Sequence, residues 1–226
     1  MSKFITEERD FEVISRPEQK AGFDPNQARN PDGTWGSGGS PTKLEDKPCF
    51  KSWFGDSKVV DADGKPLTVY HGSPVENIDV FEPTLKSSDG FGSWFSSNQD
   101  NADSFGKTTY WDDDLSEWTT KPSNIYKVYL SIKNPWELQG DKGFDEYIRI
   151  FKFKTSVSHE SQATKEDVKK FRDYLKDRGK DGVIIKGMTE AKGADYYVAL
   201  DPNQIKSIDA PSFCDETNIY KSKKIK

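Results

Sequence analysis

The sequence is poor in the residues that usually build metal centres and disulfide scaffolds: two cysteines, Cys49 and Cys214, and two histidines, His71 and His159, in 226 residues. Two cysteines are too few for a disulfide framework or a four-thiolate zinc site and suit a reducing compartment, although a single disulfide between them stays open. With two histidines and no cysteine pair, no zinc site is expected. No run approaches the roughly 20 apolar residues that a membrane helix needs. Charged residues stand near the N-terminus where a signal peptide would be apolar, so the chain reads as soluble and cytosolic. A positive excess is missing too: 33 basic against 38 acidic side chains leave a formal charge of −5, with no global field to draw in a phosphate backbone. Glycines number 17, yet none stands in a phosphate-cradling or dinucleotide fingerprint, which excludes a doubly wound nucleotide enzyme.

The length suits one domain with a real core plus tails. Only 33% of residues are hydrophobic and mean hydropathy is −0.86, so part of the chain adds little to that core. Arg16 to Lys47 is rich in Gly, Pro, Asn, Asp and Ser around Gly36-Ser37-Gly38-Gly39-Ser40-Pro41, the composition of a flexible linker. Lys221 to Lys226 carries four lysines and reads as a solvated tail. The expected organisation is a flexible segment over 1–44, a folded domain over 45–213 and a basic tail over 214–226.

Inside that domain, short strand patterns alternate with turn signals. Over Lys65 to His71, Leu67, Val69 and His71 share one face, which puts an imidazole at the edge of a core. Ile125 to Ile132 alternates in the same way and stops at Asn134-Pro135. Lys165 to Arg178 is the best helix: Thr164 can cap it, Asp167 follows three residues on, Val168, Phe171 and Leu175 recur at helical spacing, and Gly179 ends it. A second helix is expected over Phe144 to Phe153. Val183 to Ile185 and Tyr196 to Leu200 read as strands joined by a loop with Gly187, Glu190 and Gly193. The fold class is α+β, with more strand than helix.

Three places offer chemistry. Val69-Tyr70-His71-Gly72-Ser73 ends a strand with an imidazole, a glycine that a ligand can approach closely, and a hydroxyl. Gly92-Ser93-Trp94-Phe95-Ser96, followed by Ala102-Asp103-Ser104-Phe105, supplies aromatic faces. Asp195-Tyr196-Tyr197-Val198-Ala199-Leu200-Asp201-Pro202-Asn203-Gln204-Ile205-Lys206 is a strand with polar groups near its ends. Trp94, Phe95 and Phe105 are also ordinary core residues by type. His159 lacks such company and reads as an exposed loop residue. Asp112-Asp113-Asp114 lacks the spacing and glycine of a calcium loop and reads as a solvated acidic loop.

In order and spacing, the three places resemble the blocks of the ADP-ribosyltransferase superfamily, in the histidine, tyrosine, glutamate branch that includes diphtheria toxin and the poly-ADP-ribose polymerases. The run from Phe50-Lys51-Ser52-Trp53-Phe54-Gly55 through Gly64-Lys65-Pro66, with Tyr70-His71-Gly72 and Gln204-Ile205-Lys206-Ser207, is most similar to the transferase domains of phage polyvalent proteins. Phe23-Asp24-Pro25-Asn26-Gln27 through Trp35 resembles segments between modules of phage head-associated and polyvalent proteins. The resemblance implies a split, twisted β-sandwich with flanking helices, holding NAD as co-substrate in a cleft, with no metal. It also implies roles. His71 would bind ribose hydroxyls, the Gly72 backbone the nicotinamide carboxamide, and Tyr70, Ser73 and Phe95 the same pocket. Trp94 matches the motif tyrosine and Phe105 the aromatic that stacks on nicotinamide. The third block departs from the pattern, because Tyr196 stands where the glutamate belongs. Asp195, then Gln204, then Glu190 are the candidate replacements. The loop from Lys186 to Ala194 is where related enzymes read their acceptors. The implied partners are NAD and a host macromolecule, in the host cytoplasm and delivered from a phage particle. A binder without turnover and a phage structural accessory protein are the rival readings.

Overall fold

The computed structural model describes residues 44–83, 90–159 and 162–209. The linker centre at Gly36 to Pro41, the segment from Phe23 to Trp35, and the lysine tail lie outside the described residues. The last residues of the expected linker do not: Leu44 packs against the aromatic cluster of Phe50 and Phe54. The first helix, α1 (Pro48–Phe54), opens on a proline, whose missing N–H has no partner to lose there. Phe50 and Phe54 lie one turn apart, and Tyr129 meets Phe50 edge-on at 5.1 Å.

The strands are β1 (Val69–Ser73), β2 (Ser93–Ser96), β3 (Thr108–Asp112), β4 (Glu117–Lys121), β5 (Asn124–Leu130), β6 (Pro135–Gln139), β7 (Gly182–Met188), β8 (Ala194–Ala199) and β9 (Ile205–Ser207). The helices that follow α1 are α2 (Gln99–Gly106), α3 (Gly140–Thr155) and α4 (Lys165–Lys176). Seven strands form one sheet in the order β6-β7-β8-β2-β1-β5-β9, while β3 and β4 make a separate hairpin. Only β6 and β7 run parallel, as the crossover through α3 and α4 allows. At β1 and β2 the sheet opens. Those strands share one register pair, Tyr70 with Ser96, whereas β1 and β5 pair along five residues. This is an α+β fold whose sheet parts where the first two blocks meet.

Two cores explain why β7 and β8 are apolar on both sides. Val183, Ile185, Tyr196 and Val198 face α3 and α4, where Tyr147, Phe151, Val168, Phe171 and Leu175 are buried. Ile184, Tyr197 and Ala199 face the other way, onto Val69, Val128, Leu130 and Ile205 of β1, β5 and β9. Strands covered on both faces lose the apolar-polar alternation that marks a half-buried strand. Phe171 sits at the centre of the helical core, with Phe91 and Phe151 each edge-on at 5.1 Å. Phe171→Ala should therefore cost about 3–5 kcal/mol, read as a lowered urea midpoint at unchanged slope.

The structure shifts several sequence boundaries. The first strand starts at Val69 and runs to Ser73, because Pro66 makes only an isolated bridge with Val60. The helix expected over 144–153 is longer, opening at Gly140 and closing at Ser156 in the left-handed conformation. The helix at Thr164 carries the expected capping box with Asp167, and Gly179 follows at φ +67°. Asp112-Asp113-Asp114 is the acidic turn of the β3–β4 hairpin, where the Asp112 carboxylate accepts from the Asp114 and Leu115 N–H groups.

Candidate active site

The chemistry gathers where β1 and β2 part. Val69 anchors β1 in the core, and His71, two residues on, reaches the same side at the core's edge. Its Nδ1 lies 2.7 Å from the Trp94 carbonyl oxygen. A carbonyl only accepts, so Nδ1 carries the hydrogen and Nε2 of the neutral ring remains an acceptor. Phe81 meets the ring edge-on at 4.9 Å, and Phe95 lies at 5.6 Å. Burial pushes the imidazole below its ordinary 6.5, outweighing the Trp94 bond, which pulls upward. The unfolded chain then binds the proton first on acidification. The stability held by neutral His71 is present above pH 6.5 and is lost as pH falls through and below it, by at most about 1.4 kcal/mol per pH unit. Melting temperatures between pH 7.5 and 5 should fall more steeply for the wild type than for His71→Gln.

Gly72 and Ser73 continue the strand beneath α2. A Cβ on Gly72 would overlap the Ala102 carbonyl oxygen and stand 2.7 Å from its carbon, so only glycine lets this helix lie on the strand. Asn98 caps α2, its side chain accepting from the Asn101 N–H at 2.9 Å. In front of these elements lies a cavity of about 890 Å³. Tyr70, His71, Gly72, Ser73, Trp94, Phe95 and Phe105 all line it, so the first two blocks of the sequence converge on one space. Trp94 stands edge-on to Phe91 at 6.0 Å, Tyr147 at 5.8 Å and Tyr196 at 6.3 Å. Phe105 is largely exposed at the rim, its ring 6.1 Å from that of Tyr196.

The third block divides. Tyr196 lines the cavity and its hydroxyl accepts from Asn101 Nδ2 at 3.4 Å. Burial raises the phenol's pKa above 10, against the Asn101 bond, which lowers it, and the negative charge of nearby Glu190 adds to the rise. Glu190, in the turn between β7 and β8, lines the same cavity. Asp195 does not. It points with Tyr197 to the other side of β8, where its carboxylate accepts from the Gly187 N–H at 2.8 Å and the Tyr197 hydroxyl at 3.2 Å. The bulge that could have turned Asp195 inward lies in β7 instead, between Ile185 and Met188, and Asp195 clamps it. Gln204 is also elsewhere. Its amide donates to the carbonyls of Ser131 and Asp181 at 3.1 and 2.8 Å and accepts from the Asp201 N–H at 2.8 Å, tying β9 to the turn before β7. Of the three candidates, Glu190 alone lines the cavity.

Several lining residues lay outside the three blocks: Phe81, Glu82, and Phe144, Tyr147 and Ile148 of α3. The α3 spacing carried a signal, because 144, 147, 148 and 151 mark one helical face. A face of that kind reads equally as core. Among the described residues no group of three His, Cys, Asp or Glu is placed to hold a metal, and no helix is long and apolar enough to cross a membrane.

Comparison with known proteins decides the family. The model of "ADP-Ribosyltransferase in polyvalent proteins" matches residues 61–213. The chain belongs to that ADP-ribosyltransferase family. No curated protein and no solved structure matches it. The family uses NAD as its substrate, whose nicotinamide riboside half presents a cationic aromatic ring and a hydroxylated sugar. The described lining offers aromatic walls, a neutral imidazole acceptor and two carboxylates, Glu82 and Glu190, with no Lys or Arg among them.

Proposed function

We propose that the chain transfers ADP-ribose from NAD to a host macromolecule, a protein by preference, and releases nicotinamide. The observation that carries this reading is the convergence of His71, Trp94 and Glu190 on one cavity. His71 Nε2 accepts from a ribose hydroxyl and fixes the sugar, while the Gly72 backbone holds the carboxamide. Trp94 and Phe105 bound the ring. The C1′–N1 bond breaks with its electron pair passing to the nicotinamide nitrogen, which loses its positive charge. Positive charge then develops on the ribose, where Glu190 stabilises it. The acceptor nucleophile bonds to C1′ and gives its proton to the Glu190 carboxylate, steadied by Tyr196.

The acidic balance of the chain favours a protein acceptor over a nucleic acid. Its likeness to phage polyvalent-protein domains supports action in the bacterial cytoplasm during infection, as an effector or toxin carried with the particle. Acceptor choice is assigned to the turn between β7 and β8. Because Glu190 lies there, an exchange of the turn that retains this residue should change the target and keep NAD turnover. A second reading, an NAD binder without turnover, is favoured by Tyr196 at the motif glutamate's position. Incubation with NAD labelled on its adenine, in bacterial lysate, tests the proposal. Label bound covalently to protease-sensitive material is expected. Tight NAD binding with label on no macromolecule would favour the binder.

A further inference from the structure

The β3–β4 hairpin stands outside the main sheet and contributes nothing to the two larger cores. Its strands are in register, and one face carries Thr109, Trp111, Trp118 and Thr120. The two indoles stand directly opposite, edge-on at 5.8 Å, and are 48% and 69% exposed. Among the described residues neither larger core takes up this pair, which leaves a large apolar surface uncovered by them. The next residues outward are acidic. Asp112 and Glu117, paired one position beyond the indoles, face the other side of the hairpin, and Asp113 and Asp114 stand exposed in the turn with Leu115. Exposed indole faces attract cationic side chains, and an acidic turn at the end of the same arm favours them and repels phosphate.

The hairpin's two ends are planted at the cavity. It leaves α2 just after Phe105 on the rim. A Cβ on Gly106 would overlap Ser123 Oγ and stand 2.5 Å from the Ser73 nitrogen, so both ends lie against the residue that follows Gly72. Five residues per strand give the arm a reach of about 17 Å.

We propose that this hairpin is an acceptor-docking arm, which holds a Lys- and Arg-rich protein segment on the Trp111–Trp118 pair and the acidic turn, beside the cavity. The inference deepens the transferase reading by naming the acceptor's chemistry, and it rests on that reading for the fate of the docked segment. Docking itself needs no NAD and is measured without it.

The experiment uses the full chain and three fluorescent probes: a twelve-residue peptide of alternating Lys and Arg, a glutamate peptide of equal length, and a single-stranded oligonucleotide. Anisotropy should report binding of the basic peptide alone, weakening as salt rises. Trp111→Ala with Trp118→Ala should weaken it about tenfold or more. A second variant, with Asp112, Asp113 and Asp114 changed to Asn and Glu117 to Gln, should weaken it similarly while keeping the aromatic pair, so a folding defect in the first variant does not hide the answer. Nicotinamide release without acceptor should be the same in both variants as in the wild type. Equal binding by wild type and variants, absence of binding, or preference for the oligonucleotide would overturn the proposal. Loss of NAD turnover with peptide binding intact would instead count against the transferase reading alone.

Discussion

Glu190→Gln is expected to slow nicotinamide release by about two to three orders of magnitude while NAD affinity changes only a few-fold. The glutamine keeps the shape but removes the negative charge, which matters most when positive charge develops on the ribose. Loss of a group that acts in the transition state lowers kcat and kcat/KM together. Asp195→Asn should behave differently. Its carboxylate faces Gly187 and Tyr197 rather than the cavity, so its removal should lower stability by loosening the β7 bulge and leave most of the rate. Equal rate losses in the two variants, measured at matched stability, would mean that the strand and not the turn supplies the carboxylate.

Gly72→Ala should have the largest effect among single-methyl changes. The added carbon would overlap the Ala102 carbonyl, a backbone group that cannot swing aside, so α2 must lift from β1. The expected cost is about 1–3 kcal/mol of stability. NAD binding should be lost as well, because Ala102 and Phe105 of that helix line the cavity together with His71. Gly64 is a useful contrast, since a Cβ there meets nothing within 4 Å. Its φ of +76° still strains a side chain, so Gly64→Asn is the milder control and should bind NAD normally. Normal NAD binding by a folded Gly72→Ala protein would remove the β1–α2 contact from the site.

The parts of the fold legible in the sequence were those governed by local rules. The capping box at Thr164 and the alternation of Tyr126, Val128, Leu130 and Ile132 hold in the structure because each depends on neighbours along the chain. The alternation of residues 65–71 placed His71 correctly at the core's edge, although Pro66 keeps the strand from starting so early. The β3–β4 hairpin was missed, since its acidic turn lacks the glycine that announces most tight hairpins; Ser116 takes the positive φ instead. The third block was the hardest to read. Register along β8 correctly set Asp195 and Tyr196 on opposite faces. Whether a bulge would bring Asp195 inward depended on β7, and no local pattern in β8 records its partner's irregularity. Glu190 reaches the cavity from a turn held by contacts distant in sequence, such as the Thr189 N–H donating to Asp141 at 3.0 Å. The roles of Phe144, Tyr147 and Ile148 were hidden for a similar reason, because a helix face against a cavity and one against a core carry the same spacing.

Nicotinamide release from NAD by the purified protein, with and without bacterial lysate and beside His71→Ala, tests the transferase reading most directly. Release that rises with lysate and disappears in the variant is the expected result. NAD bound at the cavity with no release by the wild type under either condition would contradict it, and Tyr196 would then mark a binding protein.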